Sequence, residues 1–118
     1  MADATKSSKS IESAARQWLQ KQYPKKKFFK LSLKLRTGGK HQFDAVAEDF
    51  SVVADVKSGK STKPGAIKSA IADLYWLSLV NKAKSKFLIL TDKRFYSHFT
   101  RIMRGKVAKG VEVKLSLL

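Results

Sequence analysis

The spacing of apolar residues predicts a helix and a hairpin in the first third of the chain. Apolar residues recur at helical spacing over about 9–22, which predicts a helix. Apolar and polar residues then alternate over 29–36, the pattern of a half-buried strand whose charged positions form a basic outer face. Two consecutive glycines follow within residues 37–40, and glycines between two alternating runs indicate a tight hairpin.

The rest of the chain predicts alternating strands and helices. Strands are expected at about 41–48, 51–57, 87–90 and 111–115, and helices at about 65–81 and directly after Thr91 or Asp92. This order, α-β-β-β-α-β-α-β, predicts an α/β fold in which helices flank a mixed central sheet and the last strand lies at its edge. We expect residues 8–118 to form one domain and the polar segment 1–7 to be a disordered tail.

Composition narrows the class of protein. The chain has 118 residues, of which 43% are hydrophobic, and this suffices for one core. The absence of Cys excludes disulfides and thiolate chemistry. No apolar stretch approaches the roughly 20 residues of a membrane span, and the N-terminus lacks a hydrophobic signal region. We therefore expect a cytoplasmic protein without a signal peptide or membrane partner, associated with the nucleoid if it acts on DNA.

The charge is strongly basic and unevenly distributed. The chain has 25 Lys and Arg against 9 Asp and Glu, a net charge of +16, which favours a polyanionic partner such as nucleic acid. A structural binder of the ribosomal type or a lipid-surface protein would share this composition. However, four of the 9 acidic residues lie within 44–55. Electrostatic binding alone does not require such a cluster, whereas a metal site does.

Two Asp residues and one Lys interrupt the apolar strands. Asp55 and Lys57 share one face of the third strand, and Asp44 lies in the second. Buried charges are costly unless they are paired or bind a metal, so the alternatives are a structural ion pair and a site. If the two strands pair, Asp44 and Asp55 converge on one cation beside the Val56 carbonyl, and such hard oxygens suit Mg²⁺. Lys57 is then placed to orient the attacking water or to stabilise charge on a phosphate.

The spacing of Asp44 and Asp55-Val56-Lys57 resembles the motif of the PD-(D/E)XK nuclease superfamily, which has the restriction-endonuclease-like fold. The order α-β-β-β-α-β over about 9–91 is similar to that superfamily's core, and the size and layout resemble compact archaeal Holliday-junction resolvases. The resemblance implies metal-dependent phosphodiester hydrolysis with Asp44, Asp55 and Lys57 as catalytic residues. Glu12 stands where many members carry a Glu on the first helix, which implies a catalytic and metal-binding role for it.

These features predict an endonuclease that hydrolyses DNA with Mg²⁺, for which Mn²⁺ can substitute. We expect structure-selective cutting of a junction or of a repair or recombination intermediate, or cutting of the restriction type. A symmetric homodimer is expected, because cutting both strands needs two sites. The segment 59–62 mimics the end of a phosphate-binding P-loop, but Ala54 stands where the first Gly of that motif belongs, so no nucleotide cofactor is expected.

The predicted nucleic-acid contacts lie near the first hairpin and in the loop after the third strand. Alternate residues of the first strand make one face basic, and basic faces suit phosphate groups. The candidates are Lys25, Lys26, Lys27, Lys30, Lys34, Arg36, Lys40, His41, Lys60 and Lys63.

Two other functions fit the same residues. One is an RNase of the tRNA-cleaving toxin type, because nothing in the sequence separates DNA from RNA. The other is a nucleic-acid-binding protein that keeps the fold without the activity. For Glu12, the alternative to a catalytic role is a solvated ion pair with Arg16, four residues later on the same helix.

Overall fold

The computed structural model describes residues 8–118, and the order of elements in it confirms the prediction. The predicted boundaries of the strands and of the first two helices are displaced by at most three residues. The predicted disorder of 1–7 concerns a segment outside the described residues. The elements are α1 (Ser8–Gln22), β1 (Phe28–Lys34), β2 (Lys40–Ala47), β3 (Val52–Lys57), α2 (Pro64–Ser78), β4 (Ser85–Leu90), α3 (Lys93–Ile102) and β5 (Val111–Leu115).

The strands form a single mixed sheet in chain order, β1-β2-β3-β4-β5. The first three strands pair antiparallel, as hairpins do. The pairs β3–β4 and β4–β5 are parallel. The crossover helices α2 and α3 each return the chain to the end of the sheet at which the preceding strand began, so the next strand runs in the same direction. The predicted mixed sheet flanked by helices, with β5 at its edge, is therefore confirmed.

Helices cover both faces of the sheet and create two cores. The strands alternate between these cores, so Asp55 and Lys57 share the α2 face with Val53. The α1 core includes Ala15, Leu19, Phe28, Ala45, Ala54, Phe87 and Ile89. The core under α2 and α3 includes Phe43, Val46, Val53, Ala70, Leu77, Leu88, Phe95 and Phe99.

A bulge in β2 changes the register of the first hairpin. Phe29 pairs with Val46, whereas Leu31 pairs with Phe43. Residues 44–45 of β2 therefore lie together opposite a single residue of β1. The prediction that Phe29 and Leu31 point inward is wrong, since they are 49% and 39% exposed. β1 is an edge strand and most of its residues are exposed, so its exposed surface is part apolar and not purely basic.

The tip of this hairpin contacts the end of α2. Gly38 and Gly39 make the turn with φ values of 95° and 76°, a region that favours glycine. Just before the turn, the Arg36 backbone N–H donates to the Leu79 carbonyl oxygen at 2.9 Å. The hairpin thus folds over the α2 side of the sheet, which places the start of β2 beside that helix.

The starts of the two later helices are marked by local residues, of which the sequence predicted Asp92. Pro64 opens α2, and the Asp92 side chain caps α3 by accepting a hydrogen bond from the Phe95 N–H at 2.9 Å. Ile71 of α2, an apolar residue at helical spacing from Ile67 and Leu74, is 40% exposed and does not face the core. Within residues 8–118, no helix has both the length and the apolar character needed to cross a membrane.

Candidate active site

The carboxylates of Asp44 and Asp55 join strands β2 and β3 beyond their last ladder pair. The ladder pairs Ala45 with Ala54. One step further, the Asp44 N–H donates to Asp55 Oδ1 at 3.1 Å. In return, the Val56 N–H donates to Asp44 Oδ2 at 2.8 Å. Side-chain oxygens therefore replace backbone carbonyls between the strands, and the two carboxyl groups are held side by side as the sequence predicted.

The β2 bulge determines where Asp44 lies. Bulges re-aim a side chain and increase local twist, and they are common beside active sites. Asp44 is one of the two residues opposite Lys30, and Arg16 of α1 donates through Nη1 to its carbonyl oxygen at 2.8 Å. The bulged backbone is thus held from the α1 side while its side chain reaches β3.

Burial raises the pKa of both carboxyl groups. For Asp55, loss of solvation is the main cause and the nearby Asp44 carboxylate adds to it, so the pKa rises to about 8. For Asp44, loss of solvation also raises the pKa and outweighs the hydrogen bond from Val56. Within the described residues, Asp55 Oδ2 is buried without a hydrogen-bond partner. Buried polar atoms are nearly always partnered, so this oxygen marks a position where a cation would be stabilised.

His41 faces the unpartnered oxygen. Its Nε2 lies 3.5 Å from Asp55 Oδ2, within ion-pair range but too long for a hydrogen bond. The imidazole stacks on Trp76 of α2 with ring centroids 5.1 Å apart and meets Phe43 edge-on at 4.6 Å. The structure therefore places this predicted nucleic-acid contact beside the carboxylates, with its ring held between two aromatic side chains.

Lys57 is fixed by two residues of α2 that the sequence analysis did not single out. Its Nζ lies 2.6 Å from Ser69 Oγ and 3.0 Å from Asp73 Oδ2. The Asp73 charge also raises the pKa of both Asp44 and Asp55, which shows that it lies near them. A signal was present, because Asp73 is the one acidic residue between 58 and 91.

Glu12 lies beside the carboxylates but is paired elsewhere. Its Oε1 is 2.6 Å from Lys30 Nζ, and this hydrogen bond raises the pKa of Lys30. The Glu12 charge also raises the pKa of Asp44. Arg16 binds the Asp44 backbone, so the ion pair considered between Arg16 and Glu12 is replaced by the Lys30 pair. For Glu12 to bind a cation, its contact with Lys30 must open.

A cleft of about 340 Å³ opens next to these groups. Residues from four elements line it, so it lies where the two helical layers meet the end of β3. The lining includes Glu12 of α1, Val56 and Lys57 of β3, Ser69 of α2 and Phe95 of α3.

The two carboxylates fit a hard divalent cation. Among residues 8–118, no group of three or more His, Asp or Glu side chains is already assembled around a metal position. Mg²⁺ requires less, because it binds through one or two carboxylates and completes its shell with water and phosphate oxygens. The N–H and C=O of a strand residue face the same neighbouring strand, so the Val56 carbonyl faces β2, as its N–H does. The buried Asp55 Oδ2 supplies a strong reason for a cation at this position.

The predicted nucleic-acid contacts divide into two groups. Lys26 pairs with Asp49 at 2.6 Å and Lys30 pairs with Glu12 at 2.6 Å, so both are already neutralised. The other basic candidates are exposed, and no salt bridge joins them to a carboxylate within the described chain. These are Lys25, Lys27, Lys34, Arg36, Lys40, Lys60 and Lys63.

Comparison with known proteins gives one structural likeness. No protein-family model matches the chain, and no curated protein matches it. Among solved structures, it is similar to the crystal structure of a repair endonuclease from Pyrococcus abyssi, with 16% sequence identity and a TM-score of 0.43. The match covers 98% of this chain and 49% of that one, so the chain spans about half the length of that protein.

Proposed function

We propose that the protein is a metal-dependent nuclease that hydrolyses phosphodiester bonds in DNA through Asp44, Asp55 and Lys57. The observation that carries the proposal is that Asp55 Oδ2 is buried beside a second carboxylate and has no hydrogen-bond partner within the described residues. Two poorly solvated like charges destabilise a fold unless a cation or a proton neutralises them. The spacing of these three residues, which resembles the PD-(D/E)XK motif, supports the same assignment.

Asp44, Asp55 and the Val56 carbonyl are the proposed ligands of Mg²⁺, and Mn²⁺ substitutes because it accepts the same oxygen ligands. When bound, the cation supplies positive charge that polarises a phosphodiester and lowers the pKa of water. Glu12 is the proposed additional ligand or water-binding residue on the α1 side. It takes this role after exchange of its Lys30 partner.

Lys57 orients the attacking water and offsets negative charge on the phosphate. Hydrolysis forms a bond between the water oxygen and phosphorus, breaks one phosphorus–oxygen ester bond, and delivers a proton to the leaving oxygen. Ser69 and Asp73 hold the Lys57 ammonium group at the cleft. This arrangement restricts the long Lys side chain, which lowers the entropic cost of placing it against the substrate.

The proposed substrate is DNA, bound mainly through its backbone. A net charge of +16 favours phosphate contacts, and such contacts position a duplex without reading its sequence. Recognition of a junction or of a repair or recombination intermediate therefore suits this chain better than reading a long sequence. A homodimer would place two sites for cutting both strands, and light scattering at working concentration would test it.

The deciding experiment is cleavage of a panel containing a four-way junction, linear duplex, single-stranded DNA and tRNA, each with Mg²⁺, Mn²⁺ or EDTA. We expect metal-dependent cutting of a DNA substrate that is lost in Asp55→Asn. Asp49→Asn is the matched control, because Asp49 lies in an exposed turn. Cutting of tRNA alone would identify an RNase instead. Binding of the panel without cutting under any condition would overturn the nuclease proposal and favour an inactive binder of the same fold.

A further inference from the structure

We propose that a basic groove between helix α3 and loop 58–63 binds the phosphate backbone of duplex DNA and guides it to the cleft beside Lys57. This inference rests on the proposed function in one respect, which is that duplex DNA is the substrate. The groove itself is defined by α3 and by the loop, and α3 was not among the predicted nucleic-acid contacts.

The groove is a separate feature from the active-site cleft. It has a volume of about 700 Å³ and runs along the exposed side of α3. Its lining is polar or charged throughout, with three cationic side chains, one carboxylate, two hydroxyl groups and a histidine. The lining residues are Thr62, Asp92, Lys93, Arg94, Ser97, His98 and Arg101.

The stripe of cations on α3 is not neutralised by nearby acids. The segment 93–109 contains six Lys and Arg and no Asp or Glu. Within the described chain, none of the six takes part in a salt bridge. The nearest acid in sequence, Asp92, is occupied in capping α3 through the Phe95 N–H. Lys93, Arg94 and Arg101 form the stripe on α3, and Arg104, Lys106 and Lys109 follow the end of the helix.

The helix presents this stripe outward because its other face is fixed in the core. Phe95 and Phe99 are buried with exposed fractions of 1% and 0%. Arg94 and Arg101 lie seven residues apart, about 10 Å along the helix axis. This distance spans more than one phosphate spacing, because a single DNA strand carries a phosphate about every 3.4 Å along the duplex axis. The two side chains can thus contact different phosphates of one strand.

The groove continues toward the cleft. The Thr91 N–H, directly before α3, donates to the Lys57 carbonyl oxygen at 3.3 Å. Loop 58–63 directly follows Lys57 and contributes Thr62 to the groove, while Phe95 of α3 lines the cleft. A strand seated on α3 therefore has a short path along the loop to the carboxylates.

The test measures binding of a blunt duplex in EDTA, where no cleavage is required, over a range of salt concentrations. The double variant Arg94→Glu/Arg101→Glu should weaken binding at least about tenfold beyond a charge-matched control. It should also reduce the slope of log affinity against log salt by about 1.8, or roughly 0.9 for each lost phosphate contact. Arg94→Lys/Arg101→Lys should restore the slope.

The control is Lys82→Glu/Lys84→Glu, which makes the same change in net charge at exposed residues of the α2–β4 loop. If both double variants weakened duplex binding equally, the groove proposal would be overturned, because binding would then depend only on the net charge of the protein. Preference of the wild type for anionic vesicles over duplex would also overturn it. Binding that depends on α3 in a protein that never cuts would retain the groove and refute the nuclease. Cutting of DNA that does not depend on the α3 cations would support the nuclease and refute the groove.

Discussion

Asp44 and Asp55 each complete the hydrogen bonding of the other's strand. The Asp44 N–H donates to Asp55 Oδ1 at 3.1 Å, and Asp44 Oδ2 accepts from the Val56 N–H at 2.8 Å. Each carboxylate thus has one oxygen fixed by a backbone N–H, which defines its orientation. In Asp55 the other oxygen is buried without a hydrogen-bond partner within the described residues. A carboxylate with one oxygen fixed by a hydrogen bond and the other free to bind a cation is suited to metal binding.

Mg²⁺ should stabilise the folded protein through this pair. At a concentration ten times its dissociation constant, a ligand that binds only the folded state adds about 1.4 kcal/mol to the free energy of unfolding. We expect a stabilisation of this size for the wild type, measured by urea unfolding with Mg²⁺ and with EDTA. Asp55→Asn should abolish it, whereas Asp49→Asn should preserve it. Equal stabilisation of all three proteins would place the cation elsewhere.

The metal-free protein should lose stability as pH rises. The pKa of Asp55 is raised in the folded state to about 8 from its ordinary value of 3.8. Between these values the folded state binds more protons than the unfolded state. The free energy of unfolding should therefore fall with pH in this window, by up to about 1.4 kcal/mol per pH unit for one proton. Denaturant unfolding in EDTA from pH 5 to 8 measures the slope.

A variant isolates the Asp55 contribution to this slope. Asp55→Asn cannot release the proton, so its stability should change less with pH than that of the wild type. Asp49 has its pKa lowered by Lys26 and Ser51, and its contribution is lost only in acid. Asp49→Asn should therefore keep the wild-type slope between pH 5 and 8. The assignment fails if Asp55→Asn and the wild type have the same slope.

Asp73 should act by positioning Lys57. Its Oδ2 lies 3.0 Å from Lys57 Nζ, so Asp73→Asn leaves the Lys in place but removes the charge that holds it. We expect a decrease in kcat of about 10- to 100-fold, the usual effect of losing a group that orients an active-site residue. KM should change little. Cleavage kinetics for Asp73→Asn, Lys57→Ala and the double variant measure the effect.

The double variant tests whether the two residues act together. If Asp73 works through Lys57, adding Asp73→Asn to Lys57→Ala should cost little further activity. Independent losses that multiply would instead indicate that Asp73 acts directly on substrate or cation. Ser69→Ala should cause a smaller loss in the same direction, because Ser69 accepts from the Lys57 ammonium group at 2.6 Å through a neutral hydroxyl, whereas Asp73 carries an opposite charge.

Substitution of Glu12 and substitution of Lys30 should change the Mg²⁺ requirement of cleavage in opposite directions. Glu12 is held by Lys30 at 2.6 Å, so the two ligands of Glu12, ammonium and metal, compete. Glu12→Gln should raise the Mg²⁺ concentration needed for half-maximal cleavage. Lys30→Gln should lower it, because Glu12 is released. If both changes alter the rate without moving the Mg²⁺ midpoint, Glu12 does not bind the cation.

Much of the architecture could be predicted because the signals are local. Helix α1 follows from apolar spacing, and the first hairpin from Gly38 and Gly39 at positive φ. The pairing of Asp44 with Asp55 also followed, since a short turn between two strands brings their facing residues together. These features depend on neighbours in sequence, and hydrophobic pattern reports such neighbours well.

The remaining features depend on contacts distant in sequence. The bulge at 44–45 adds one residue to β2 and leaves no mark in the apolar pattern, and Phe29 and Leu31 are exposed on the edge strand β1. Asp73 contacts Lys57 only because α2 returns across the sheet. Its position three residues after buried Ala70 placed it toward the interior, but its partner depends on the packing of α2.

Because of the β2 bulge, the position of Asp44 depends on the number of residues between Phe43 and Val46 as well as on their identity. Insertions in the turn at Gly38 and Gly39 would lengthen an exposed tip. Loss of one residue between Phe43 and Val46 would restore regular pairing with β1 and turn the Asp44 side chain to the opposite face. Variation by insertion and deletion should therefore be permitted at the tip and excluded at residues 44–45, even where every proposed catalytic residue type is retained.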